Sequence, residues 1–256
     1  MKSDLSPEKE AENGSRFMPL QAVGTISSEP DMRNLLHNGS DKHHEQLLRV
    51  FETFMKSKPD FSIRDTTSDP GPLGLFGFAL TTFLLNMTNA GVFPLTSVLF
   101  AMGICYGGLA QIIAGILEWH KNRLFPFVVF LSYGLFWWSL VLILILSSLG
   151  IAPPPDDEGM GFYLFLWGSL TFGFMIASLK RPKSIFVLFV TVLLLFWLLA
   201  IEKWTNSAKV GKAAGIVGIV CSLIAFYNGL AELLNASFEA TVLPMGTPLI
   251  KTINKF

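Results

Sequence analysis

Asp69-Pro70-Gly71-Pro72-Leu73-Gly74-Leu75 opens an apolar run that carries no charged residue as far as Phe93. The stretch reads as a helix start. The Asp69 carboxylate can accept from free N–H groups, and a proline in the first turn has its helical φ already set and removes an N–H that lacks a partner there. Glycines beside it permit close backbone contact. An uncharged apolar helix of this length fits a bilayer, whose core of ~30 Å is crossed by roughly 20 residues.

Composition extends the reading to the whole chain. Hydrophobic residues make up 51% of the 256, charged residues 15%, and 23 are Phe, which is too oily for a soluble protein of this size. Residues 1–69 hold 12 acids and 9 bases, whereas the remainder holds only 7 acids and 10 bases, nearly all in short connectors. The chain thus divides into a polar N-terminal tail and a membrane body. A net charge of zero and connectors too short for a basic face exclude nucleic acid as a partner.

Apolar length gives six spans, near 73–92, 95–118, 124–149, 161–179, 184–201 and 213–236. The fold class is therefore an all-α membrane protein with six transmembrane helices per subunit. Lys121 and Arg123 follow the second span and Lys180, Arg181 and Lys183 the fourth, while the third is followed by Pro153 to Glu158 with no base. Basic connectors mark the cytoplasmic side, so both termini are expected there, most naturally at the plasma membrane. Lys56, Lys58 and Arg64 agree; Lys203, Lys209 and Lys212 oppose. The organisation is a cytoplasmic tail over 1–68, a six-helix membrane domain over 69–246 and a short cytoplasmic tail over 247–256.

Residues 1–40 bury too little to offset ordering entropy and are expected to be disordered, and they lack the apolar core of a signal peptide. Between 43 and 58 the pattern changes, with Leu47, Leu48, Phe51, Phe54 and Met55 on one helical face and Glu45, Arg49, Glu52 and Lys56 largely on the other. That spacing predicts a short amphipathic helix at the inner surface, against the plainer reading of a transient helix.

Small residues stand four apart at Gly103 and Gly107, Ala110 and Ala114, and Gly211 and Gly215, which is helix-packing spacing in lipid. Among polar residues, Thr81 can satisfy itself on its own helix, while Asn86 and Gln111 need a neighbouring helix, water or ligand. Glu118 and Glu232 fall near inner span ends, where snorkelling or a lysine suffices. Enzymatic chemistry finds no footing. Cys105 and Cys221 read as buried free thiols, His43 and His44 lack a third ligand, His120 stands beside Trp119, and no Walker loop or GxSxG occurs. No metal or cofactor is expected. Asn13 and Asn38 begin Asn-Gly-Ser sequons that should stay unmodified on the cytosolic side.

Several ordered blocks then carry a resemblance. DPGPLGL is followed by FGFALTTFLLNMTNAG, AMGICYGGLAQIIAGILEWHKN, SYGLFWWS, FWLLAIEKW, AFYNGLAELLN and VLPMG. From Asp69 to Gly246 the chain resembles the acetate uptake transporter family, small monocarboxylate permeases whose typical opening motif is NPAPLGL. The resemblance implies a six-helix subunit, a homohexamer in membrane lipid, and a path for acetate or similar short monocarboxylates through each protomer. It places an aromatic and aliphatic constriction on Phe78, Tyr133 and Val192. Val192 departs from the usual leucine and implies a slightly wider neck. Asp69 and Gly71 depart from asparagine and alanine, the first adding a charge that repels anions at the helix end.

The chemistry agrees with that substrate class. An anion entering a dry neck loses hydration worth several kcal/mol or more, so an accompanying proton lowers the barrier. Thr81, Asn86 and Gln111 are expected to bind substrate, and the Tyr133 phenol to donate to it. A membrane sensor or scaffold, with the tail recruiting a partner, is the alternative reading.

Overall fold

In the computed structural model, the described residues are 45, 47–49, 52 and 67–250. The chain divides into Met1–Arg64 and Asp65–Phe256. In the first unit, Glu45, Leu47, Leu48, Arg49 and Glu52 are helical, with Leu47 66% exposed and Arg49 paired with Glu45 at 3.7 Å, one turn earlier. The expected disorder over 1–40, the two sequons, His43, His44 and the rest of the 43–58 helix, including Phe51, Phe54 and Met55, lie outside the described residues.

The second unit is helical among its described residues. Helices α1 (Gly71–Asn89), α2 (Ser97–Met102), α3 (Gln111–His120), α4 (Leu124–Ser148), α5 (Asp157–Ala177), α6 (Lys183–Thr205) and α7 (Ala208–Ser237) follow one another. A π-helical segment, Gly103–Ala110, joins α2 to α3 without a break, so that Ser97–His120 is one span and six spans result. All six are long and apolar enough to cross a membrane, and the chain is an integral membrane protein. Large apolar side chains such as Leu80, Ile113, Phe162, Leu166 and Leu223 lie exposed around the outside, the reverse of a soluble surface.

The helix starts explain where the spans begin. Gly71 N–H donates to Asp69 Oδ1 at 3.0 Å, and proline sits in the first turn of α1, as the opening motif requires. At α5, Asp156 caps by accepting from Gly159 N–H at 2.6 Å, with Asp157 and Glu158 in the first turn. This span therefore begins four residues before the expected 161, because acids at a helix N-terminus are favourable even though they lower hydropathy. The last span likewise starts at Ala208 rather than 213 and carries Lys209 and Lys212 on its first turns.

Packing is closest between α1 and α7, α5 and α6, α6 and α7, and α3 and α4. Small residues make the approach possible. A β-carbon on Gly215 would overlap the backbone of Ala90, and one on Gly115 would come within 2.9 Å of Leu131 N. Across the α4–α5 seam the backbones stay further apart and rings fill the gap. Phe136 packs on Tyr163 and Trp167, at 6.0 and 5.2 Å between centroids, and on Phe196 of α6 at 5.1 Å.

The π segment is the one irregularity inside a span. Its wider turns leave carbonyls poorly used, and neighbours take them up: Trp138 Nε1 donates to Ile104 O at 3.0 Å, and Thr81 Oγ1 approaches Met102 O at 3.5 Å. After α7, residues 238–250 fold back as a strap. Asn235 Oδ1 accepts from Val242 N–H and Leu243 N–H at 2.7 and 2.9 Å, its Nδ2 donates to Leu243 O, and Tyr227 donates to Pro244 O. Ser184 N–H then bonds Met245 O and Ile250 N–H bonds Leu179 O, so the expected C-terminal tail begins tied to the bundle. Cysteines 105 and 221 are both free, but Cys105 is exposed rather than buried, because it faces outward from the π segment.

Candidate functional site

One stripe from each of several helices lines a cavity of about 200 Å³ at the end of the bundle where the first span begins. Gly71, Leu75 and Phe78 come from α1; Val129, Phe130 and Tyr133 from α4; Ile185, Leu188, Phe189 and Val192 from α6. Spacings of three, four and seven put each set on one helical face. A second cavity, of about 290 Å³, lies further along the same helices, lined by Leu85 of α1, Phe136, Leu140 and Leu144 of α4, Met160 and Leu164 of α5, and Leu199 and Lys203 of α6.

Between the two lies a layer of rings. Phe78 and Tyr133 stand 5.6 Å apart, Tyr133 stacks on Phe196 at 6.4 Å, and Phe174 meets Tyr133 edge-on at 5.8 Å. Val192 is 1% exposed beside them. The structure thus brings Phe78, Tyr133 and Val192 together at the floor of the first cavity. The Tyr133 phenol is already engaged. Its oxygen is 2.9 Å from Thr171 Oγ1, and since Thr171 gives its own proton to Trp167 O at 2.8 Å, Tyr133 is the donor in that pair. It presents a ring to the cavity, not a free O–H.

The three expected substrate-binding residues part company. Gln111 lines the first cavity, is fully buried, and neither its Oε1 nor its Nε2 has a hydrogen-bond partner in the protein. Thr81 and Asn86 line neither cavity. Thr81 packs against Gly107 of the π segment. Asn86 donates to Thr82 O at 2.9 Å, accepts from Asn89 Nδ2 at 3.1 Å and fills the space above Gly218 of α7. Both serve the contacts of α1 with its neighbours.

The mouth of the first cavity is charged. Asp69, Glu118 and Glu232 stand there with Arg123 and Arg181. Arg123 Nη1 donates to Asp69 Oδ2 at 2.8 Å and lies 3.6 Å from Glu118 Oε2. Arg181 rides over the Phe125 ring at 5.0 Å, and Phe125 in turn packs on Phe189 of the cavity wall. Glu118 does not snorkel as expected: it is 1% exposed and turned inward. Sequence reasoning undervalued it, although a signal was present, because Glu118 follows Gln111 by seven residues and so shares its stripe on α3. Glu232 is only half-buried, and its carboxylate occupies the room that a β-carbon at Gly71 would need, 2.5 Å from Oε2.

Two cavities end to end, closed off from one another by rings inside a six-span bundle, define a membrane protein built as a pathway. A profile described as the GPR1/FUN34/yaaH family matches residues 53–247, and the chain belongs to that family. It is 43% identical over 179 residues to the succinate-acetate/proton symporter SatP of Escherichia coli, a match covering 70% of this chain and 95% of that protein. Acetate permease A of Emericella nidulans is 30% identical over 195 residues, covering 70% of this chain and 65% of the permease. Among solved structures, that of the bacterial acetate channel SatP superposes with a TM-score of 0.70 at 42% identity, covering 71% of this chain and all of that one.

Proposed function

We propose that this chain transports acetate and similar short monocarboxylates across a membrane, with a proton accompanying the anion, along a path through each protomer. The observation that carries the proposal is the first cavity, with a buried unpartnered amide at its inner end and an apolar neck beyond. A volume of about 200 Å³ admits a two- to four-carbon acid with some water, each water taking ~30 Å³. The neck formed by Phe78, Tyr133 and Val192 offers no group that could replace a carboxylate's hydration. Passage as the neutral acid avoids most of that cost. Gln111 is the donor to the substrate carboxylate at the cavity floor.

The family relationship supports the same substrate class. The homohexameric ring implied by the sequence resemblance, the plasma membrane as its site and the cytoplasmic placement of both termini belong to this proposal as well. In favour of the orientation, Lys121, Arg123, Lys180, Arg181 and Lys183 all cluster at the end where the first span starts and the last one finishes. The test is uptake of radiolabelled acetate by purified protein in liposomes, with and without a proton gradient. Uptake above that of protein-free vesicles, accelerated by an inward proton gradient, is the expected result; none at all would leave a sensor or scaffold.

A further inference from the structure

Moving a carboxylate together with a proton is faster where a side chain can exchange that proton before the dry neck is reached. Glu118 is placed to be that group. It lines the first cavity, is 1% exposed, and its Oε2 has no hydrogen-bond donor. At 3.6 Å, Arg123 Nη1 is too far for a hydrogen bond, while the same nitrogen holds Asp69 Oδ2 at 2.8 Å. Protonating Glu118 at Oε2 therefore breaks no short bond, whereas protonating Asp69 at Oδ2 would.

The groups that face Glu118 set the sign of the effect. Asp69 comes from the start of α1, Glu232 from α7, Arg181 from the connector between α5 and α6, and Arg123 and Lys121 from the connector that follows α3. Lys121 donates to Thr67 O at 2.9 Å, outside the cavity lining. Within that lining, three acids stand against two guanidinium groups, so with all ionised the mouth carries one net negative charge (two positive minus three negative). A carboxylate anion entering adds another. Uptake of a proton is the direct relief, and burial favours the neutral form of Glu118, the least solvated of the three acids. On the same stripe of α3, two turns deeper, stands the unpartnered amide of Gln111.

Building on the transport reading, we propose that Glu118 is the proton-exchange residue of this pathway. The Glu118 carboxylic acid gives its O–H proton to an arriving carboxylate, which crosses the neck as the neutral acid, and the Glu118 carboxylate regains a proton from water at the mouth. In the opposite direction a neutral acid leaving the neck gives its proton to the Glu118 carboxylate and departs as the anion. Atoms and charge balance in either sense, and Asp69 keeps Arg123 in place throughout.

The experiment uses the full chain in liposomes, with acetate entry followed by radiolabel, internal pH by a trapped dye, and membrane potential set by valinomycin and potassium; protein-free vesicles supply the blank. The unaltered protein should move acetate with protons and be indifferent to potential. Glu118→Gln should lose roughly 100-fold in rate, with the residual flux sensitive to potential and no longer matched by protons. Glu118→Asp, which withdraws the carboxyl by one methylene, should be slower yet keep the protons, and Glu239→Gln, exposed and outside both cavity linings, should keep both rate and protons. A Glu118→Gln protein that carries acetate with wild-type rate and proton accompaniment overturns the proposal. Should that variant fail to assemble on size exclusion, an unslowed Glu118→Asp overturns it instead. Acetate entry without protons in the unaltered protein removes the role of Glu118 alone, whereas no entry above the blank removes the transport reading beneath it.

Discussion

The amide of Asn86 on α1 lies in the space where a β-carbon on Gly218 of α7 would have to go. Its own hydrogen bonds, to Thr82 O and from Asn89, stay within α1, so its side chain acts as a polar wedge seated on a glycine. Gly218→Ala should therefore overpack the α1–α7 contact and cost about 1–3 kcal/mol, read as a lowered thermal transition in detergent. Adding Asn86→Ala to Gly218→Ala should recover most of the loss. If the two changes simply add, the residues are not coupled and the contact is looser than described.

Gln111 offers the opposite balance. Both polar atoms of its buried amide are unpartnered, so Gln111→Met should leave stability unchanged or raise it, since an apolar group of similar shape removes an uncompensated desolvation. Transport should suffer nonetheless. Losing one hydrogen bond to a charged or acidic substrate is worth ~1.5–3 kcal/mol, or roughly ten-fold and more in half-saturating acetate. A destabilised Gln111→Met with normal uptake would make the amide a structural group satisfied by water.

In the proposed pathway, the width of the neck would decide which acids pass. Val192→Ala should broaden acceptance toward longer chains, raising the propionate-to-acetate uptake ratio, and Val192→Trp should block flux while the protein still assembles. An unchanged ratio in the first and normal flux in the second would locate the narrowest point elsewhere, with Phe196 the next residue to alter.

Topology is open to chemical labelling. Cysteine introduced at Asp156, in the cap of α5, should react with an impermeant reagent added outside, and cysteine introduced at Thr247, in the strap after α7, only after the membrane is opened. The opposite pattern inverts the orientation argued from the basic connectors.

Span number was legible because hydropathy over some twenty residues is a strong signal, and helix ends were less so. Asp157 and Glu158 lower hydropathy at the very place where they stabilise a helix start, so the fourth span looked shorter than it is. Lys209 and Lys212 hid the first turns of the last span in the same way. Of the site, Phe78, Tyr133 and Val192 came from the motif resemblance, and Gln111 from the cost of burying an amide. The same reasoning applied equally to Asn86, because a polar residue in a span advertises its need for a partner and not where the partner is. Only the structure shows that Asn86 bonds within its own helix and wedges against Gly218 of α7, and that Thr81 packs on Gly107 of the π segment. Glu118 was judged from its distance to the span end, whereas the decisive fact is the angle at which α3 presents it.

That angle depends on the π-helical turns of Gly103–Ala110. A π-helix turns by less per residue than the about 100° of an α-helix, so closing this segment into regular α-helix at the same residue count would swing everything after it by roughly 100°. Gln111 and Glu118 would both rotate away from the cavity together, with no change to either side chain and little to hydropathy. The wide turns between Met102 and Gln111 thus bear on the proposed pathway as much as any residue lining it.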